Sequence, residues 1–412
     1  MLSKKNCLFF IQEKDMRIKL LTKPYVIFFF VFVIGIVSNI FFDLPKGSTV
    51  SNINSQLAVQ MEACEIYEYS DSNFLSSERR SCYNDKIFSH IRSKGLKSTV
   101  LGLEDYMKTE QGSYLVGTRC HDIGHGIGIE AVKAGYSSRE ILETCSTSCE
   151  GGCLNGAGHV FITTQSKNGD LNSFCDLDGI NKTVRDMCFH GIGHGLMEYY
   201  SLDIPKVIKD CQRIEKNSDK FQCGHAAFMD TNLVNQAPFG KIPKNLNEYC
   251  KELEDVLRYS CYQFGGFLTF VRDLDIDDSF DFCTKIPTQI SNICFSRIGE
   301  SAYLRNNGDA QKTLELCKRI ENNQFRSCLK GANIFSIHTP DSSFGTKAKN
   351  ICLAVSGEVR SGCLSDLGAM IVKTYGNEEL KTFCEPLTSI DKKSCFEINQ
   401  SIINEPDFVQ AD

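Results

Sequence analysis

Five pairs of cysteines in this chain share a single separation. Cys250/Cys261, Cys283/Cys294, Cys317/Cys328, Cys352/Cys363 and Cys384/Cys395 are each eleven residues apart, and the first members of successive pairs follow one another at 33, 34, 35 and 32 residues. Upstream, Cys175/Cys188 and Cys211/Cys223 continue the series with spacings of 13 and 12 and offsets of 36 and 39 residues. A period of that length accommodates two short helices and two turns, the unit of helical-hairpin solenoids. The expected fold is therefore all-α: disulfide-stapled helical-hairpin repeats forming an α-solenoid or α/α superhelix.

The residues inside one period agree. Gly308-Asp309 supplies a breaker and an N-cap, and Ala310 to Ile320 reads as an amphipathic helix with Leu314, Cys317 and Ile320 on adjoining turns. Glu321-Asn322-Asn323 breaks it, and helical spacing resumes from Gln324 to Ile337. One cysteine then lies in the last turn of the first helix and its partner near the start of the second, where a tight turn brings them within disulfide reach. Closing an eleven-residue loop stabilises each hairpin by about 2 to 3 kcal/mol. The same thiols lack the close C-x2-C pairs that zinc and iron–sulfur sites favour, which argues for cross-links over metal clusters.

A glycine stands five residues after the second cysteine in several units: Gly158, Gly193, Gly266, Gly299 and Gly368. Glycine inside a helix costs about 1 kcal/mol relative to alanine, so its recurrence predicts backbone-to-backbone contact between neighbouring hairpins. The N-terminal part is less regular. Cys64 and Cys82 are expected to close an atypical capping hairpin. Among Cys120, Cys145, Cys149 and Cys153, the repeat register favours Cys145 with Cys153 and then Cys120 with Cys149, a connectivity that sequence alone leaves open.

Disulfides need an oxidising space, and the N-terminus points to one. Tyr25 to Phe42 is a run of 18 residues without a charge, enough to cross a bilayer. The 24 residues before it carry Lys4, Lys5, Lys14, Arg17, Lys19 and Lys23 against Glu13 and Asp15, a net +4 that keeps this end cytoplasmic. A cleaved signal peptide is the competing reading, but the small-x-small cleavage pattern does not follow the apolar run. The expected layout is a cytoplasmic tail (1–24), a signal-anchor helix (25–42), a polar stalk (43–60), histidine-rich repeats (61–230) and further disulfide-stapled repeats (231–412). Of the 21 cysteines, only Cys7 then lies on the cytoplasmic side. With the +4 set aside, the chain's net −6 leaves about −10 on the exported part, which argues against nucleic acid or an anionic lipid surface as a partner.

Six of the eight histidines fall between Cys120 and Asp230: His121, His125, His159, His190, His194 and His225. Counted from the second cysteine of each hairpin, Asn155, His190, His225 and Gln263 occupy position two, and His159 and His194 position six. Positions two and six lie one helical turn apart on one face, with Glu198 a turn beyond His194. His121 and His125 keep the same spacing, shifted by one residue against Cys120. Stacked second helices would bring these rings into one ladder, with Glu130, Glu198 and Asp230 at its edges. Histidines at i, i+4 present two imidazoles to one ion, and with the thiols oxidised the remaining nitrogen and carboxylate donors suit zinc, copper, nickel or iron. His121, His125, His159, His190, His194, His225 and Glu198 are thus the expected metal ligands. The alternative is a structural polar ladder in a scaffold that binds an extracytoplasmic protein or peptide.

Other chemistry finds little support. The chain has no Gly-x-Ser-x-Gly elbow, phosphate-binding loop or dinucleotide fingerprint, and neither His-Glu-x-x-His nor Cys-x-x-Cys-His occurs. Asp273, Asp275, Asp277, Asp278 and Asp281 lack the glycine and closing glutamate of a calcium loop and read as a solvated acidic turn. Asn181-Lys-Thr183 and Asn399-Gln-Ser401 match glycosylation sequons, which have meaning only in a eukaryotic host.

Overall fold

Short helices with side-chain caps open the repeat units. Asp203, Asn245 and Asp309 accept hydrogen bonds from the backbone N–H of Lys206, Glu248 and Lys312, satisfying donors that a helix start leaves open. Ser137 and Glu140 form a complete capping box. The computed structural model describes residues 51–66, 77–107, 118–145, 148–165, 170–230, 241–273, 275–306, 308–320, 322–337, 346–400 and 402. Their regular structure is helical, with turns between the helices and one isolated β-bridge, Asp203 to Lys241.

The second helix of each unit is named here in chain order: α1 Ser77–Lys94, α2 Thr118–Lys133, α3 Gly152–Gln165, α4 Lys182–Tyr199, α5 Asn217–Met229, α6 Asp255–Asp273, α7 Thr288–Arg305, α8 Asn322–Ile337, α9 Gly357–Tyr375 and α10 Ser389–Phe396. Each packs against the one before and the one after, and Asn52–Asp412 forms one compact unit. In α4 to α10 the cysteine is the seventh residue of the helix every time, so the staple meets each unit at one height.

Ten disulfides close the chain as the spacing predicts, with Cα–Cα separations from 4.9 to 5.9 Å. Cys64 pairs with Cys82, Cys120 with Cys149 and Cys145 with Cys153. Around the buried bridges the core is aliphatic and aromatic, with Phe189, Phe228, Phe295, Tyr303, Leu329 and Leu367 shielded from solvent.

The recurrent glycines carry the contact between units. A methyl group on Gly193, Gly299 or Gly368 would overlap the carbonyl oxygen of Cys223, Cys328 or Cys395 on the next helix, and one on Gly158 would lie 2.6 Å from that of Cys188. A reciprocal set faces backward: Gly156, Gly191 and Gly331 abut the carbonyls of His125, Asn155 and Ser296 on the preceding helix. Backbone meets backbone, as expected. Gly266 differs, since it lies against the Cys283 sulfur and Ile298 rather than a carbonyl.

Several expectations shift. The stretch expected as a stalk is helical from Ser51 to Glu62, because Leu57, Ala58 and Met61 recur at helical spacing and are buried, Leu57 against Gly102. The helix expected over Ala310 to Ile320 stops at Cys317, and the next runs Asn322–Ile337, so Asn322 and Asn323 belong to the helix rather than to the break. The acidic turn is mostly structured: Asp275 caps Ile276–Thr284, and Asp273, Asp277 and Asp281 pair with Arg272, Arg319 and Lys285. The cytoplasmic tail and the expected membrane span, Tyr25 to Phe42, lie outside the described residues, and no helix among those described is long and apolar enough to cross a membrane.

Gly299→Ala should lower stability by about 1 to 3 kcal/mol despite the better helix propensity of alanine, because the new methyl would have to push α7 and α8 apart. Urea unfolding of wild type and variant checks it, and an unchanged midpoint would refute the close-contact role.

Candidate functional site

Glycine contacts fix the register of the helices and hence of the histidines. Gly156 abuts the carbonyl of His125, just as Gly191 abuts that of Asn155 two residues beyond its own cysteine. Gly128 meets the Cys153 carbonyl in the way Gly158 meets that of Cys188. His125, Asn155, His190, His225 and Gln263 therefore share one level across α2 to α6. His121 lies a turn below this row, where Gly152 abuts its carbonyl. The cysteine-based count placed His121 level with Asn155 and His190; the structure corrects this by one helical turn, because Cys120 is not the staple cysteine of its unit.

Five rings then follow one another in contact. Ring centroids stand 4.6 Å apart for His121 and His125, 6.4 Å for His125 and His194, 4.9 Å for His194 and His190, and 5.8 Å for His190 and His225. The contact between His125 and His194 joins α2 to α4, although α3 lies between them. Asn155 of α3 is fully buried there, with its Nδ2 3.5 Å from His121 Nε2. Beyond His225 the row ends in aromatic and charged neighbours: Phe221 and Phe264 pack on its ring, and Arg297 stacks over Phe264 while pairing with buried Glu300.

His159 stands apart from this row. Its Nε2 donates to Glu198, whose side chain is largely exposed, so Glu198 serves His159 rather than extending the His190/His194 pair. His194 takes the buried Asp230 instead, Nδ1 to Oδ2 at 3.3 Å. Glu130 turns away to Arg92. His338 lies outside the described residues.

Hydrogen-bond chemistry decides where several protons sit. A backbone carbonyl only accepts, so the 3.2 Å contact from His121 Nδ1 to the Cys149 oxygen places the proton on Nδ1 and leaves Nε2 as a lone pair. Likewise the Asp230 carboxylate holds a proton on His194 Nδ1 and orients that ring. His125 Nε2 faces His121 Nε2 at 3.0 Å and must donate to it. These are the partners that orient imidazoles at metal sites: the outer nitrogen is tied to a carbonyl or carboxylate, and the inner one carries the lone pair.

Electrostatics keep His125, His190 and His225 neutral. Loss of water, reinforced by His121, His194 and His159, pushes His125 well below the usual imidazole range. Burial does the same at His190, with His194, His225, His121 and His125 adding to it. His225 falls to about 3, through burial first and then Arg297 and His194. Such rings hold open lone pairs at neutral pH, the form that a metal needs. Among the described residues no three His, Cys, Asp or Glu side chains already stand together in metal-ligating geometry; His121 and His125 present a pair. Sequence reasoning missed the Cys149 carbonyl, a backbone atom that no residue pattern reveals, and it placed Asp230 only at the edge. The register of His125 was legible from Gly128, which repeats the five-residue glycine rule from position 123.

Buried His190 and His225 titrate below their unfolded value of about 6.5, so the unfolded chain binds protons first as the pH falls. Stability of chelator-treated protein should be level above pH 7 in respect of these groups and decline between pH 6.5 and 4, by up to about 1.4 kcal/mol per pH unit for each ring. His225→Gln should flatten that slope in thermal melts, and an identical slope would contradict it. No protein-family model, curated protein or solved structure matches this chain, so its own geometry carries the functional argument.

Proposed function

We propose that this chain is a membrane-anchored extracytoplasmic helical-repeat protein whose histidine row binds a transition metal ion: zinc, copper or iron. The observation that carries the reading is the hydrogen-bonding of the outer nitrogens. His121 gives its Nδ1 proton to a backbone carbonyl and His194 gives its Nδ1 proton to a buried carboxylate, which ties both rings in the way that ligand imidazoles are oriented. The residues present fit such an ion through nitrogen donors. His121, His125 and His194 would be its ligands, with His190 and His225 next in the row and His159–Glu198 at the solvent edge. An ion held there would supply Lewis acidity toward water or a small oxidant, and the reading extends to a metal-dependent enzyme on that ground alone. The anchor rests on Tyr25 to Phe42 and the charge before it, and the oxidising compartment on the ten disulfides.

One observation favours a second reading, a non-enzymatic scaffold for an extracytoplasmic protein or peptide. The polar row continues into Gln263, which is fully buried in a unit without histidine, so such positions also occur as part of the stack alone. Metal content separates the two. After equilibration with Zn²⁺, Cu²⁺ or Fe²⁺ and desalting, elemental analysis of the full chain should find about one tightly held ion per chain, lost in His121→Ala/His125→Ala with helix content unchanged. A wild-type chain that retains none of the three metals would remove the metal reading and leave the scaffold.

A further inference from the structure

Nine of the ten disulfides join the two halves of a single hairpin. Cys120–Cys149 does not: Cys120 is in α2, and Cys149 sits in the 3-10 turn Ser148–Gly151 ahead of α3, inside the loop that Cys145–Cys153 already closes. The unit therefore has its staple without this bridge. Cys149 also holds a left-handed backbone, φ 57°, which disfavours a residue with a side chain and calls for compensating contacts. Two of its contacts go to consecutive residues of α2, the sulfur to Cys120 and the carbonyl oxygen to His121 Nδ1, and the sulfur also lies 3.6 Å from that of Met107.

We propose that the Cys120–Cys149 bridge is a positioning device for His121, holding the Cys149 carbonyl where it fixes the proton on Nδ1 and leaves Nε2 to face His125. The bridge acts at one remove, since neither sulfur touches the pair of facing nitrogens. Without it, the strained turn relaxes and His121 loses the acceptor that sets its tautomer and ring orientation. Outer partners of this kind are worth 10- to 100-fold in metal affinity. The affinity consequence rests on the metal-binding reading above, whereas the tautomer consequence does not.

The test compares the full chain with Cys120→Ser/Cys149→Ser and with Cys384→Ser/Cys395→Ser, which removes a staple at the far end of the stack. Ring-nitrogen NMR of ¹⁵N-histidine-labelled, metal-free protein should show His121 protonated on Nδ1 in wild type and in the distal variant. In Cys120→Ser/Cys149→Ser the proton should redistribute between Nδ1 and Nε2. Zn²⁺ affinity should fall 10- to 100-fold in that variant alone. Should the serine variant fail to fold, Cys120→Ala/Cys149→Ala removes the bridge while keeping a side chain in the left-handed turn and takes the same measurements. A His121 tautomer unchanged on losing the bridge overturns the proposal, as does an equal loss of affinity in the distal variant. A tautomer switch in Cys120→Ser/Cys149→Ser, together with a wild-type chain that binds no Zn²⁺, overturns the metal reading and leaves the positioning role standing.

Discussion

Close approach of glycine to a carbonyl on the neighbouring helix is the contact on which the rest of the molecule depends. Second helices meet where Gly158, Gly193, Gly299 and Gly368 lie against the cysteine carbonyl of the following unit, and Gly156, Gly191 and Gly331 against the unit before. A side chain at those points would hold the backbones apart by the thickness of a methyl group. Their absence does two things. It lets each helix run unusually near its neighbours, and it fixes the axial register, since a glycine on one helix must face a carbonyl on the next. That register puts His125, Asn155, His190 and His225 at one height. The histidine row is a consequence of glycine packing.

Disulfides and glycines divide the work. Each staple ties the two helices of a hairpin and acts within one repeat, so it raises the stability of a unit that has only its neighbours to lean on. Between repeats the chain relies on close packing and on ion pairs that step from one unit to the next, such as Arg185 to Asp219, Lys220 to Glu254, Arg326 to Asp366 and Arg360 to Asp391. Asp219 illustrates the balance: it is almost fully buried, and burial raises its pKa even though Arg185 faces it. Such pairs are worth little where exposed, but a buried carboxylate without its arginine would be costly, which makes them markers of correct stacking.

The histidine row makes sense in the same terms. Uncharged imidazoles can share a buried seam, and the proton placed by Cys149 lets His121 accept from His125, so that two lone pairs or two N–H groups do not face each other there. His225 ends the row among phenylalanines, with Arg297 beyond. Metal-ligand chemistry and a structural polar seam ask for the same neutral rings. They part only at the outer nitrogens, where an acceptor for each is what a ligand set requires.

The sequence by itself determined the unit. Cysteines eleven residues apart, capped short helices and a glycine five residues on are local features, and local features fix which segments are helices and which thiols pair. It left the pairing of Cys120, Cys145, Cys149 and Cys153 open, and the folded chain joins Cys145 to Cys153 and Cys120 to Cys149 as the repeat register favours. Three things were decided only by the tertiary structure. Cys120 is not a staple, so His121 drops a turn and His125 takes its place in the row; cysteine spacing could not say this, because register is set by which backbone atoms touch. Glu198 goes to His159 and Asp230 to His194, choices made by helices packing side by side rather than by residues a turn apart on one helix. And the acceptor for His121 is a main-chain oxygen of Cys149, which every residue carries and which only the path of the folded chain can aim.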